Sequence, residues 1–147
     1  RSNFKDVHAF SQAINAELDK YPIDLITLAG FIHLYKIPEK FKGKVMNIHP
    51  GLIPAFCGHK YYGNKVHEAV INYGVKVSGC TVHFADNVYD NGPIIIQRYV
   101  PVFDDDIPDT LAARISKEEC EAYPEAIRLF AAGRLRIEGR KVRILKP

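Results

Sequence analysis

An amide and an imidazole stand two residues apart in Asn47-Ile48-His49-Pro50-Gly51. On extended backbone, residues i and i+2 project from the same face. Pro50 disfavours the helical region for His49 and keeps the segment extended to its end. The two side chains therefore emerge together. An amide can hold an oxygen on which negative charge develops, and an imidazole can give or take a proton near neutral pH. The plainer alternative is an Asn and a His that satisfy the backbone of a loop. A carboxylate is available in Tyr89-Asp90-Asn91-Gly92-Pro93, where Asp90 reads first as a turn former. If that loop folds back over the Asn47–His49 edge, the carboxylate stabilises the charged imidazole and raises its pKa. His83 lies in an apolar run, as a buried, hydrogen-bonded histidine does, with a supporting role at a site as the sharper alternative. No Ser or Cys has the setting of an activated nucleophile, and no glycine-rich nucleotide loop is present. His8, His33, His59 and His67 lack partners at ligand spacing, so no metal site is expected.

The elements that must position these groups follow from hydrophobic period. Phe4, Val7, Phe10, Ile14 and Leu18 recur every three or four residues, which predicts an amphipathic helix over 4–20. Ile23–Ala29 reads as a buried strand ending at Gly30, and Lys44–Ile48 as a second strand stopped by His49-Pro50-Gly51. Residues 37–42 suggest one helical turn between them. A helix starting at Gly63 or Asn64 and ending at Gly74 would turn Val66, Ala69, Val70 and Tyr73 inward. Val75–Ala85 and Ile94–Val102 alternate as strands, joined antiparallel through the loop Asp86–Pro93. Residues 109–132 are helical, with an interruption expected at Pro124. Arg134–Leu145 reads as a hairpin around Glu138-Gly139. Strands alternate with helices and then form hairpins, so the fold class is α/β with a mixed sheet. Ligands of open α/β sheets sit beyond the carboxyl ends of strands, here Gly30–Tyr35 and Asn47–Pro50.

The chain has 147 residues, enough for one domain with a real core. Hydrophobic residues make up 47% and charged residues 25%, which excludes a disordered chain. A net charge of +3 does not point to nucleic acid or an anionic membrane. The basic final hairpin, with Arg134, Arg136, Arg140, Lys141 and Arg143, reads as a charged, solvated edge, with RNA contact as the alternative. No apolar run is long enough for a membrane span, and no signal peptide opens the chain. The three cysteines show no CxxC spacing and read as reduced thiols, so a cytoplasmic location is expected. The chain opens at Arg1 without Met, as a piece of a longer protein would.

Four segments together are specific. Leu28-Ala29-Gly30-Phe31, Asn47–Phe56 (NIHPGLIPAF), Gly79–Phe84 (GCTVHF) and Asp90–Gln97 (DNGPIIIQ) resemble those of the phosphoribosylglycinamide formyltransferases, folate-dependent enzymes of purine synthesis. Ala112–Tyr123 and the Arg134–Ile144 tail favour these over other folate formyl enzymes. The resemblance implies a Rossmann-like mixed sheet flanked by helices. It also implies formyl transfer from 10-formyltetrahydrofolate to the amine of glycinamide ribonucleotide, with no metal. By the same resemblance, His49 is the acid/base imidazole, Asn47 the amide that holds the formyl oxygen, and Asp90 the carboxylate that tunes the imidazole. His83 orients the Asp90 loop. Ile32, His33, Leu34 and Tyr35 grip the pterin, opposite a wall of Asp86–Asp90 that includes Asn87. Glu119, with Gly30 and Pro50, meets the glycinamide end.

Three departures from the family pattern accompany the resemblance. The chain matches the C-terminal two-thirds of the family's domain as a single unit, without the first strand and the glycine-rich phosphate loop. Ile32-His33 stands where Met-Arg is expected, and Cys57–Asn64 differs in length or composition. The alternatives are a formyltetrahydrofolate hydrolase, another formyltransferase, or a non-catalytic folate-binding fragment. An edge left by missing strands could pair with a second copy as a homodimer.

Overall fold

The computed structural model describes residues 4–147. Helix α1 (Val7–Leu18) is capped by the Asp6 carboxylate, which accepts from the N–H groups of His8 and Ala9 at 2.9 Å. It starts later than periodicity suggests, and its one buried residue is polar. Ser11 donates to the Val7 carbonyl and accepts from the Lys36 N–H, tying the helix to the chain after the first strand. That strand, β1, is only Ile26–Leu28. A single 3-10 turn at Glu39–Phe41 leads into β2 (Val45–His49), parallel to β1.

Helix α2 (Asn64–Tyr73) ends on Gly74 in the left-handed conformation. Its inward face is Val66, His67 and Val70, whereas Tyr73 is 77% exposed. The expected inward Tyr73 is corrected: its ring packs edge-on against Phe56 at the surface. Strands β3 (Val77–Phe84) and β4 (Ile94–Pro101) form an antiparallel pair, with a register shift at Val82/His83. Helix α3 runs unbroken from Pro108 to Ala131, with Pro124 inside it. The expected interruption does not occur. Proline only deprives the Cys120 carbonyl of its donor, and Leu111, Ile115, Ala122 and Ala126, all at 0% exposure, keep the helix continuous against the sheet. Strands β5 (Leu135–Glu138) and β6 (Lys141–Ile144) make the final hairpin.

The sheet order is β1-β2-β3-β4-β6-β5, mixed as the α/β reading requires. Successive residues of β2 enter different cores, as strand geometry dictates. Met46 joins Val66, Val82, Leu111 and Ile115 under α2 and α3. Val45 joins Tyr35 and Phe41, with Ile14 and Leu18 of α1 against them. Burial on both faces explains why β3 is buried from Ser78 to Phe84. No helix among the described residues is long and apolar enough to cross a membrane.

Candidate active site

Strand register makes the first contact. Asn47 on β2 lies beside His83 on β3, and the Asn47 amide nitrogen comes to 3.2 Å from His83 Nε2. The other ring nitrogen, Nδ1, lies 2.9 Å from the Phe84 carbonyl. A carbonyl only accepts, so Nδ1 carries the proton and Nε2 accepts from Asn47. The second amide hydrogen of Asn47 reaches Asp90 Oδ1 at 3.4 Å. His49 projects beside Asn47, 3% exposed, with Nδ1 3.5 Å from Asp90 Oδ2 and Nε2 2.9 Å from the Phe56 carbonyl. By the same reasoning the proton of neutral His49 sits on Nε2. Its Nδ1 and Asp90 Oδ2 then face each other lone pair to lone pair, with a proton position open between them.

Two loops bring these groups together. Asp90 has φ 48°, in the left-handed region, where a non-glycine residue is strained. Its Oδ2 accepts the Gly58 N–H at 2.8 Å, and the adjacent Tyr89 ring packs against His59, so the two loops clasp each other. The Asp90 loop closes on β3 because Gly92 has no side chain: a Cβ there would lie 1.7 Å from the Phe84 carbonyl oxygen. Phe56, also at φ 48°, is turned so that its carbonyl meets His49. The loop carrying it is held by Thr81, which donates to the Gly51 carbonyl at 2.7 Å and accepts from the Ile53 N–H at 3.2 Å. The Gln97 amide donates to Thr81 and to the Ile53 carbonyl. Gly51 is required by closeness: a Cβ there would meet His49 Nε2 at 3.0 Å and Val66 at 3.3 Å.

Charge follows geometry. Burial pushes the His49 imidazole below its ordinary value and outweighs the upward pull of Asp90 and the Phe56 carbonyl. The rise expected from a neighbouring carboxylate is present, but desolvation is the larger effect. Burial alone would raise the Asp90 carboxyl; His83, His49 and the Gly58 N–H together hold it below the usual carboxylate range. At neutral pH the pair rests as a neutral ring beside a carboxylate.

Two hollows meet at this cluster. The larger, about 780 Å³, is walled by Gly30, Ile32, Pro50, His67 and Glu119. The smaller, about 50 Å³, is walled by His33, Leu34, Tyr35 and Asp86. Phe31, Asn47, Tyr89 and Asp90 line both. Among the described residues, the backbone groups of 31–35 make no protein hydrogen bonds, leaving polar edges free along that wall. Tyr35 is itself in the core, its hydroxyl bonded to Asn15. Asn87 faces neither hollow: its amide clips to Ile37, accepting the Ile37 N–H at 2.7 Å. Glu119 reaches the larger hollow from α3, and burial raises its carboxyl above the ordinary value. The helix is pinned one turn later. The Tyr123 hydroxyl lies 2.9 Å from the Leu28 carbonyl and 3.0 Å from that of Met46, and burial pushes its pKa up to about 12.

Sequence reasoning missed Tyr123, Thr81, Gln97, the Phe56 carbonyl and the Gly58 N–H as positioning groups. A buried Thr on the apolar strand β3 was a legible signal, whereas Gln97, exposed on β4, was not. The backbone groups carried none. Among the described residues, no three His, Cys, Asp or Glu side chains converge to hold a metal ion.

Known proteins share this arrangement of chain. The chain is 43% identical over 120 residues to the chloroplastic phosphoribosylglycinamide formyltransferase of Vigna unguiculata, covering 80% of this chain and 38% of that protein. It is 36% identical over 140 residues to phosphoribosylglycinamide formyltransferase of Haemophilus influenzae, covering 94% of this chain and 64% of the relative. It thus spans less than two thirds of these curated relatives. The crystal structure of glycinamide ribonucleotide transformylase 1 from Symbiobacterium toebii superposes with a TM-score of 0.90 at 46% identity, over 99% of this chain and 67% of that one. The formyl transferase family pattern runs through residues 1–127, from before α1 into α3 and across all the strands that carry Asn47, His49, His83 and Asp90. The chain belongs to the formyl transferase family.

Proposed function

We propose that the protein transfers a formyl group from 10-formyltetrahydrofolate to the amine of glycinamide ribonucleotide; the names of its relatives support formyl transfer to that acceptor. The observation that carries the reading is the placement of Asn47 and Asp90 on the boundary of two hollows, with His49 in contact with Asp90. A transfer between two bound substrates needs its catalytic groups at such a boundary. The free backbone edges of residues 31–35, facing Asp86, suit a flat, hydrogen-bonding pterin. The larger hollow, with Gly30, Pro50 and Glu119, suits the amine-bearing acceptor. In this reading His33, Leu34 and Tyr35 hold the donor, Ile32 lies on the acceptor side instead, and Asn87 keeps the opposite wall in place through Ile37.

The amine nitrogen attacks the formyl carbon, and the carbonyl electron pair moves onto oxygen. The Asn47 amide holds that charge by releasing its 3.4 Å bond to Asp90, the longer of its two. As the N–C bond forms, the amine proton passes to the open position between Asp90 Oδ2 and His49 Nδ1. As the bond from the formyl carbon to the folate nitrogen breaks, that nitrogen takes the proton back from His49. His83 keeps Asn47 aligned throughout, its Nε2 accepting from the amide, and Asn47 in turn borders Asp90. No proton is gained or lost overall.

The test mixes the purified protein with 10-formyltetrahydrofolate and follows tetrahydrofolate release with and without glycinamide ribonucleotide. Acceptor-dependent release is expected. Release that ignores the acceptor would replace this reading with hydrolysis, and no release at all would reject it.

A further inference from the structure

Helix α2 turns three consecutive-face residues inward: Val66 at 0%, His67 at 4% and Val70 at 1% exposure. Two are plain core residues. The third is an imidazole whose Nδ1 is sealed from solvent with no hydrogen-bond partner. Nearly all buried polar atoms are paired, so an orphan on a core helix needs a reason. Packing alone would be served better by Leu. The ring is not lost in the core, because it also lines the larger hollow, as Glu119 does, and does not line the smaller one. The first turn of α2 lies close to the catalytic imidazole: a Cβ added at Gly51 would meet both His49 and Val66. Burial and the nearby His49 both disfavour a charged His67, so the ring is neutral and has one proton to place. An N–H buried without an acceptor is rarer in proteins than an unused acceptor. The proton therefore belongs on Nε2, the other ring nitrogen of a side chain that lines the larger hollow.

Resting on the formyl-transfer reading, we propose that His67 is a substrate-positioning residue whose Nε2–H donates to an oxygen of the sugar-phosphate acceptor. It fixes the acceptor along the α2–α3 wall so that the amine end lies toward Glu119 and Asp90. It takes no part in moving protons, and the folate side of the site does not depend on it.

The purified protein and its His67→Leu and His67→Gln variants are titrated calorimetrically with glycinamide ribonucleotide and, separately, with a folate analogue that carries no transferable formyl group. Leu is expected to weaken acceptor binding about tenfold or more, leave the folate analogue within about twofold, and keep or raise Tm by about 2–4 °C, because an orphan polar atom is removed. Gln, whose amide can donate, is expected to restore most of the acceptor affinity. Unchanged acceptor binding in His67→Leu overturns the inference while leaving the formyl-transfer reading intact. Equal weakening of both ligands with a lower Tm overturns it too, by showing a structural role. Wild-type protein that binds neither ligand removes the formyl-transfer reading itself, and this inference with it.

Discussion

Along the β2–β3 rim, Asn47, His49, His83 and Asp90 each have protein partners within 3.5 Å, while across the cleft His67 Nδ1 has none and Glu119 sits raised by burial alone. The rim is held by hydrogen bonds within the protein, and the proposed reaction places its developing charge there. On the α2–α3 wall the His67 ring and the Glu119 carboxyl make no protein hydrogen bond among the described residues, and in the proposed reading the acceptor meets His67 at Nε2 while Nδ1 stays unpaired. That reading separates chemistry and recognition onto different elements of the fold. Variants on the rim should cost turnover, and variants on the wall should cost affinity.

Asp90→Ala should have the largest effect, because it removes the partner of Asn47, His49 and the Gly58 N–H together. Turnover is expected to fall about a thousandfold, at the middle of the range for a lost proton acceptor. Steady-state kinetics with both substrates would measure it, and a loss below tenfold would break the division between rim and wall. Asn47→Ala or His49→Ala should each cost about a hundredfold or more in turnover with the circular dichroism spectrum and Tm little changed. Near-normal turnover in either variant removes that residue from the chemistry.

Tyr123→Phe should act on stability first. It takes away the donor shared by the Leu28 and Met46 carbonyls, worth about 1–2 kcal/mol, or a fall of about 3–6 °C in Tm. Its effect on turnover should be smaller than that of any rim variant, since it shifts Glu119 only through α3. Acid should give the mildest effect. His49 has its pKa lowered in the folded state, so the unfolded chain binds the extra proton first. Its contribution to stability is full above about pH 6.5 and is lost as pH falls through the lowered folded value. Asp90, also lowered, contributes above about pH 4 and loses that contribution only in stronger acid. Thermal melts between pH 8 and pH 5 should therefore slope downward, and His49→Ala should flatten the slope. An unchanged slope in that variant would show that burial of the ring is not what sets its charge.

The fold was largely legible because each element rests on a local pattern. The alternation of β3 and β4, the apolar stripe of α3 and the turn at Glu138-Gly139 are short-range signals, and the structure places elements there. Pro124 misled because its local cost is overridden by burial of Leu111, Ile115, Ala122 and Ala126 against strands far away in sequence. The pairing of Asn47 with His49 was readable from a spacing of two on extended chain. Asp90 was readable only conditionally, since its arrival depends on a loop whose return is fixed by contacts with Phe84 and Gly58. The tautomer of His49 was not readable at all, because it is set by a backbone carbonyl on Phe56 that any residue could have supplied.

The segment between β3 and β4 is clamped at both ends: the Phe84 N–H meets the Pro93 carbonyl at 2.9 Å, and Gly92 lies flush on the strand. Such a clamp makes the loop a ruler of fixed length. One residue inserted or deleted between Ala85 and Asn91 would leave both ends anchored and swing the acid elsewhere along the arc. An engineered change of length should therefore be tolerated at the β5–β6 turn, which positions no group of the site, and not in the span that carries residue 90.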